Sequence, residues 1–226
     1  MTTDFDEKGR DTMTVTDTDT ETPGASPPSL YKAVAAAAHR LQRDLLGQDA
    51  QRSARARGVM SRLRRAAAQQ PGEDPRAWWE VSEEVLGELP EGELGRGDTP
   101  SHSEWAAFVA VTLFSIHQQS QAQPMHVAGV SLGEAVGTLR RRTESGSIKP
   151  RLDALMLATT EAGIRYHLRS LIGLLNAHSI SLDYGRLAED LRRLRTPARR
   201  RDVVIRWGRG YAASLRPRPA ATTGTE

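Results

Sequence analysis

The spacing of apolar residues along the chain is helical almost throughout. Apolar positions recur every three or four residues, as in the stripe of Ile164, Leu168, Leu171 and Leu175, and this spacing is typical of one buried helix face. No convincing run of alternating apolar and polar residues predicts a strand, and no internal repeat of fixed period is present. The sequence therefore predicts an all-α fold.

Start and stop signals divide this pattern into about eight helices. Asp74 before Pro75 is a typical opening, because aspartate caps free backbone N–H groups and proline suits the first helical position. Gly47 ends the first helix. Further openings are predicted at Ser29, Asp49, Thr160, Asp183 and Thr196. The predicted helices cover 30–46, 50–70, 76–89, 103–121, 132–143, 161–178, 184–195 and 198–214.

We expect these helices to form two small helical bundles, at 29–122 and 128–215, joined near the loop 121–130. Residues 1–28 lack apolar periodicity and are rich in Thr, Asp and Pro, which predicts a disordered acidic tail. Residues 216–226 are predicted to be a flexible tail.

Composition excludes several classes of protein. The 226 residues include no cysteine, which rules out disulfides, thiol catalysis and cysteine metal sites and is typical of a reducing cytoplasm. The longest apolar run, 105–114, is about half of what a membrane span needs. The first ten residues lack a basic segment followed by an apolar one, so we expect no secretory signal. The predicted location is cytoplasmic, with no membrane partner.

The net charge of +3 conceals strong segregation of charge. Eight arginines oppose two acids in 40–65, ten acids oppose two arginines in 73–104, and ten arginines oppose one acid in 192–218. Glutamates in the acidic segment, among them Glu80 and Glu84, are expected to form a solvated helix face or a contact for a basic partner.

The stretch 129–133 has the G-x-S-x-G spacing of a hydrolase nucleophile elbow, with aspartate and histidine following in triad order. An elbow requires a buried strand before the serine, whereas a polar loop precedes Ser131. Ser131 and Glu134 instead form the S-x-x-E pattern of a capping box, in which each side chain binds the other's backbone N–H group. The pattern predicts a helix start and not a serine hydrolase.

No other motif argues for catalysis. The six histidines show no i, i+4 pairing and no H-E-x-x-H sequence, and no phosphate-binding G-x-x-x-x-G-K-[ST] loop is present. We therefore predict no catalytic residue, no metal site and no cofactor.

The arginines suggest a binding surface. Helical spacing places Arg165 beside Arg169, and Arg206 with Arg199 on the outward face of the last helix. Such a surface binds phosphates without sequence preference, although a solvated basic face without a partner is an alternative. The aromatic residues of the last helix are expected to be buried, which favours backbone contact over base stacking.

Six segments, in order, resemble the CasB family, the small subunits of the type I-E CRISPR surveillance complex called Cascade. The segments are 59–66, 105–120, 129–136, 167–175, 186–194 and 203–211. The resemblance implies an all-helical, non-catalytic protein. Its implied partners are other Cascade subunits, a second copy of itself placed head to tail, and the phosphate backbones of the guide RNA and of single-stranded DNA. Its implied function is to hold the displaced non-target strand and stabilise the R-loop.

The resemblance also implies particular contact residues and a further helix that begins near Arg151. Spacing alone favours Arg62 together with Arg65 in the early helix, whereas the resemblance favours Arg64 with Arg65. Charge and position add three arginines at the end of helix 132–143. The predicted nucleic-acid-binding residues are Arg64, Arg65, Arg140, Arg141, Arg142, Arg151, Arg169, Arg199, Arg200 and Arg201.

Two alternatives remain at this point. A free-standing transcription regulator would need a helix-turn-helix with base-contacting side chains, and no clear one is present. A helical protein–protein adaptor would use the arginines against acidic partners.

Overall fold

The structure, a computed structural model, describes residues 29–216 and confirms the all-α fold. Within that range the chain contains nine α-helices and no strand. The predicted tails at 1–28 and 217–226 lie outside the described residues. The helices are α1 (Leu30–Leu46), α2 (Ala50–Arg65), α3 (Pro75–Glu84), α4 (His102–His117), α5 (Leu132–Thr143), α6 (Ile148–Leu157), α7 (Glu161–Ala177), α8 (Tyr184–Leu194) and α9 (Pro197–Ser214).

Helix α6 is the one that apolar spacing did not predict and that only the family resemblance implied. It buries Ile148, Leu152 and Leu155 on one face. Pro150 lies in its first turn, where proline is tolerated because the first N–H groups have no partner within the helix. Its short length and this proline weaken the helical pattern in the sequence.

Side-chain caps fix where most helices begin. Ser101 and Ser131 each form a complete capping box with the glutamate three residues later. Thr196 precedes α9 as predicted, but its side chain forms no cap hydrogen bond. Side-chain caps form at the other predicted positions, Ser29, Asp49, Asp74, Thr160 and Asp183.

The G-x-S-x-G stretch forms the start of helix α5. Gly129 has φ +86°, a conformation that favours glycine. Ser131 accepts from the backbone of Glu134, whose carboxylate accepts from the backbone of Ser131 at 2.8 Å. A Cβ on Gly133 would lie 2.1 Å from the carbonyl oxygen of Trp207. The stretch therefore starts α5 and lets its backbone touch α9, which confirms the capping prediction.

Helix α4 lies at the centre of the core. It buries apolar residues on all sides, as a helix enclosed by others must. Helices α1, α2, α7 and α8 pack against it, and nearly all of the buried apolar residues of the described chain form one cluster. The proposed division into two bundles stays a prediction.

The loop 121–130 is fastened by buried hydrogen bonds. The amide of Gln42 donates to the carbonyl of His126 and accepts from its N–H group, both at 3.0 Å. The ring of His126 accepts from the backbone of Tyr184 at 3.1 Å, and the hydroxyl of Tyr184 lies 2.9 Å from Nδ1 of His117. The loop therefore joins α1 to α8, while the contact between His117 and Tyr184 joins α4 to α8 directly.

Candidate nucleic-acid interface

The ten predicted arginines share one electrostatic property. None forms an ion pair with an acidic residue in the described part of the chain, residues 29–216, whereas nine other arginines there do. The paired arginines are Arg40, Arg43, Arg52, Arg55, Arg62, Arg192, Arg193, Arg195 and Arg206. No acidic residue of the described chain therefore neutralises a predicted arginine through an ion pair.

Helix α7 and its neighbours bring several of these side chains together. Arg151 on α6 donates to the hydroxyl of Ser170 on α7 at 2.8 Å. Arg169 is exposed one turn from Arg165, whose guanidinium donates to the carbonyl of Gln69 beyond the end of α2. Partial burial lowers the pKa of Arg165. Arginines from α6 and α7 therefore meet around the middle of α7, and the segment after α2 supplies the carbonyl that binds Arg165.

The arginines at the start of α9 divide into two roles. Arg199 and Arg201 are exposed, and Arg199 lines a surface depression with Arg192 and Arg193. Arg200 turns inward and donates to carbonyls at the end of α6, 2.9 Å from that of Met156. Of these three predicted binding residues only Arg200 turns inward, because α6 ends beside it and its last carbonyls need donors.

The arginines at the end of α5 bind neighbouring helix ends. Arg141 donates to the carbonyl of Ser214 at the end of α9, and Arg142 donates to the carbonyl of His178 after α7 at 3.3 Å. Arg140 is half-buried. Positive charge at these carbonyls suits the negative end of the helix dipole. Arg200 contacts the segment just before α7 and Arg142 the residue just after it, so the two lie near opposite ends of a helix of about 25 Å.

The pair at the end of α2 is similarly divided. Arg64 donates to the carbonyl of Ser115 in the last turn of α4 at 3.3 Å, while Arg65 is exposed and donates to Ser61 on its own helix. Arg62, which spacing favoured, forms an ion pair with Glu80. Arg65 is thus the better placed of the two for an external phosphate.

Two further expectations are wrong. The expected solvated face at Glu80 and Glu84 is wrong because both are buried, and the basic residue that Glu84 contacts is Arg55 of the same chain, at 3.0 Å. Arg206 does not face outward, because it pairs with the buried Asp190, which also accepts from the indole N–H of Trp207 at 2.7 Å. Burial raises the pKa of Asp190, and the bonds from Arg206 and Trp207 oppose that rise.

Tyr166 is the residue at this surface that the sequence analysis missed. Its side chain is 73% exposed on α7, between two grooves lined by arginines. The expectation that aromatic contact is absent rested on the last helix, whose Trp207 and Tyr211 are buried. The signal was available, because Tyr166 lies two positions after Ile164 and so outside the apolar stripe.

The described residues, 29–216, also bear on metal binding and on membrane insertion. No group of three or more His, Cys, Asp or Glu side chains is placed to hold a metal ion. None of the described helices is both long and apolar enough to cross a membrane.

Comparison with known proteins gives the family. Residues 59–211 match the model of CRISPR-associated protein Cse2. No curated protein sequence matches the chain.

Solved structures agree with that match. CasB from Thermobifida fusca is 30% identical with a TM-score of 0.67, over 80% of this chain and 97% of that one. A Cse2-family CRISPR-associated protein from Thermus thermophilus is 26% identical with a TM-score of 0.56, over 78% and 96%. A chain of a CRISPR RNA-guided surveillance complex, 19% identical, shares the fold with a TM-score of 0.60, over 83% and 95%.

The family model covers more than half of the chain. Helices α5, α6, α7 and α8 of this chain, which carry arginines, lie wholly within the matched residues. The predicted resemblance is therefore confirmed: the chain belongs to the Cse2 family, the CasB small subunits of type I-E CRISPR Cascade.

Proposed function

We propose that this protein is a non-catalytic subunit of a type I-E Cascade complex that binds single-stranded nucleic acid along its phosphate backbone and so stabilises the R-loop. The observation that carries the proposal is the absence of ion pairs at all ten predicted arginines within residues 29–216. Uncompensated guanidinium groups attract phosphates because binding releases the counterions of the nucleic acid.

The displaced non-target DNA strand fits this chemistry, with the guide RNA and the target strand nearby. In an R-loop, one duplex is exchanged for another of similar stability, so backbone contacts by protein shift the balance. Arginines without interleaved asparagine or glutamine suit phosphates better than base edges. Sequence specificity would then lie in guide pairing.

The likeness to a chain of a CRISPR RNA-guided surveillance complex supports assembly with other Cascade subunits. A second copy placed head to tail and a cytoplasmic location remain predictions from the family resemblance. The arginines that cap helix ends, such as Arg64 and Arg200, contribute to the fold as well as to the charge of the surface.

The test is binding of the purified full-length chain to labelled single-stranded DNA, single-stranded RNA and duplex DNA across a salt series. We expect affinity to be independent of DNA sequence and to fall with salt, with a log–log slope of about −0.7 per phosphate contact. Preference for one duplex site would favour a regulator. No binding even at low salt would favour an adaptor, and either result would overturn the proposal.

A matched pair of variants sharpens this test. Arg169→Gln removes an exposed guanidinium without an ion pair in the described chain and should reduce the slope by about 0.7. Arg52→Gln removes an exposed guanidinium that pairs with Asp49 at 3.3 Å and should leave the slope unchanged. Equal effects of the two substitutions would show that pairing does not select the binding residues.

A further inference from the structure

Tyr166 stands on the outer face of α7 with most of its side chain in water. The inward face of the helix buries Ile164 and Leu168, and Tyr166 lies between them in sequence but outside that face. A large aromatic side chain that is 73% exposed contributes little to the core. Its position therefore needs another explanation.

The surroundings of the ring are cationic on both sides. One groove is lined by Arg151, His167 and Ser170 together with Tyr166, and the other by Arg165 and Arg169 together with Tyr166. Neither groove has a carboxylate among its lining residues. An aromatic ring between grooves lined by guanidinium groups is the combination found where single strands bind.

The ring and its neighbours are held in position. The imidazole of His167 lies edge-to-face with the ring, at 5.2 Å between centroids and 79° between planes. The hydroxyl of Ser170 accepts from Arg151 at 2.8 Å, and Gln69 accepts from Arg165 through its carbonyl. Prior ordering of these groups reduces the entropy lost when a ligand binds.

Small side chains leave room beside the ring. Ala67, Ala68 and Ala162 line the second groove. Along the outer face of α7, Gly173 follows Tyr166 by two turns, and nothing lies within 4 Å of where its Cβ would be. The second groove, which Tyr166 also lines, is therefore bordered by three of the smallest side chains.

We propose that Tyr166 is a base-stacking residue, against which one base of a single strand lies while the adjoining phosphates contact Arg151 on one side and Arg169 on the other. This deepens the proposed function and rests on it. Stacking on an aromatic ring is tolerant of sequence because every base has a π-face. It would favour single strands, whose bases are free, over duplexes.

The experiment measures fluorescence anisotropy of a labelled oligothymidylate of about 12 nucleotides and of the same oligonucleotide made wholly abasic. The full-length protein is compared with Tyr166→Ala, Tyr166→Phe and Trp79→Ala. Trp79 is a matched control because it is also an exposed aromatic residue, at 63%, but lies on α3 and lines neither groove.

We expect Tyr166→Ala to weaken binding of oligothymidylate about tenfold, with an unchanged salt slope, and to leave binding of the abasic strand unchanged. Tyr166→Phe and Trp79→Ala should bind both strands as the unsubstituted protein does. Circular dichroism should show equal helicity in all variants, because both aromatic side chains are exposed.

The two proposals fail in different ways. If the unsubstituted protein binds neither strand at low salt, the proposed function itself is overturned. If it binds both strands and Tyr166→Ala binds oligothymidylate equally well, the phosphate surface stands and the stacking role is overturned. An equal loss for both strands would also overturn stacking, because Tyr166 would then act without a base.

Discussion

Two charged regions of the molecule differ in how their arginines are used. Where α1 and α2 face α3, arginines meet buried acids: Arg62 pairs with Glu80, and Arg55 with Glu84. Around the middle of α7, Arg151 and Arg169 have no acidic partner within residues 29–216. The first region uses charge to hold helices together, and the second leaves it available.

The difference shows that the net charge of a segment does not identify its available charges. Three arginines of the basic segment 40–65 pair with Glu80 and Glu84 of the acidic segment 73–104. Even the basic segment 192–218 ties Arg206 to Asp190. Structural arginines are separated from candidate contacts only by the bonds of individual side chains, both ion pairs and bonds to helix-end carbonyls.

The largest expected effect is a loss of folding stability at low pH that leaves the arginine surface unchanged. Burial lowers the pKa of His117 to about 4 and also lowers the pKa of His126. Below pH 6.5 the unfolded chain therefore binds more protons than the folded one, so the free energy of unfolding falls as pH falls. His117 alone should cost about 2 kcal/mol between pH 7 and pH 5.

Urea denaturation at pH 7, 6 and 5 measures this loss. His117→Gln should flatten the dependence, while substitution of the exposed His178 should not. The arginines stay protonated throughout, so the affinity of the folded protein for single-stranded DNA should not weaken. A stability that is level from pH 7 to pH 5 would contradict the role of His117.

The next effect tests the paired region. Glu84→Ala leaves Arg40 and Arg55 without their buried partner and should lower the free energy of unfolding by about 1.5 kcal/mol, since both arginines retain some access to water. Glu83→Ala, at the exposed neighbouring position, is the control and should change stability little. If Glu84→Ala lost DNA affinity under conditions where it is fully folded, the paired region would also contribute to binding, and the contrast between the two regions would be wrong.

The smallest effects divide the arginines of α9. Arg199→Gln with Arg201→Gln should weaken DNA binding roughly fivefold, or about 1 kcal/mol, at unchanged stability, because both side chains are exposed. Arg200→Ala should instead lower the free energy of unfolding by about 1 kcal/mol, because carbonyls at the end of α6 lose their donor. If the double variant and Arg200→Ala changed DNA binding and stability equally, the division into exposed and structural arginines on α9 would be wrong.

The sequence predicted the helices well because local signals decide them. Asp74 with Pro75 and Ser131 with Glu134 fix helix starts through bonds to residues two or three positions away. Helix α6 escaped because Pro150 blurs its pattern and its buried face is completed by other helices. Short-range chemistry can be inferred from one segment, while packing cannot.

The candidate site was less predictable for the same reason. The exposure of Tyr166 follows from the apolar stripe of its own helix and could have been foreseen. The inward turn of Arg200 could not, because it depends on α6 ending beside α9. The burial of Glu80 depends likewise on where α2 passes α3.

The glycine contact between α5 and α9 has a consequence for how sequence motifs are interpreted. Gly129, Ser131 and Gly133 answer three separate demands: a left-handed backbone, a helix cap and a close crossing of two backbones. Together they reproduce the signature of a nucleophile elbow without any of its chemistry. A motif scan would therefore place a false hydrolase here, and a saturation library should find position 133 restricted to glycine while position 173 accepts substitution.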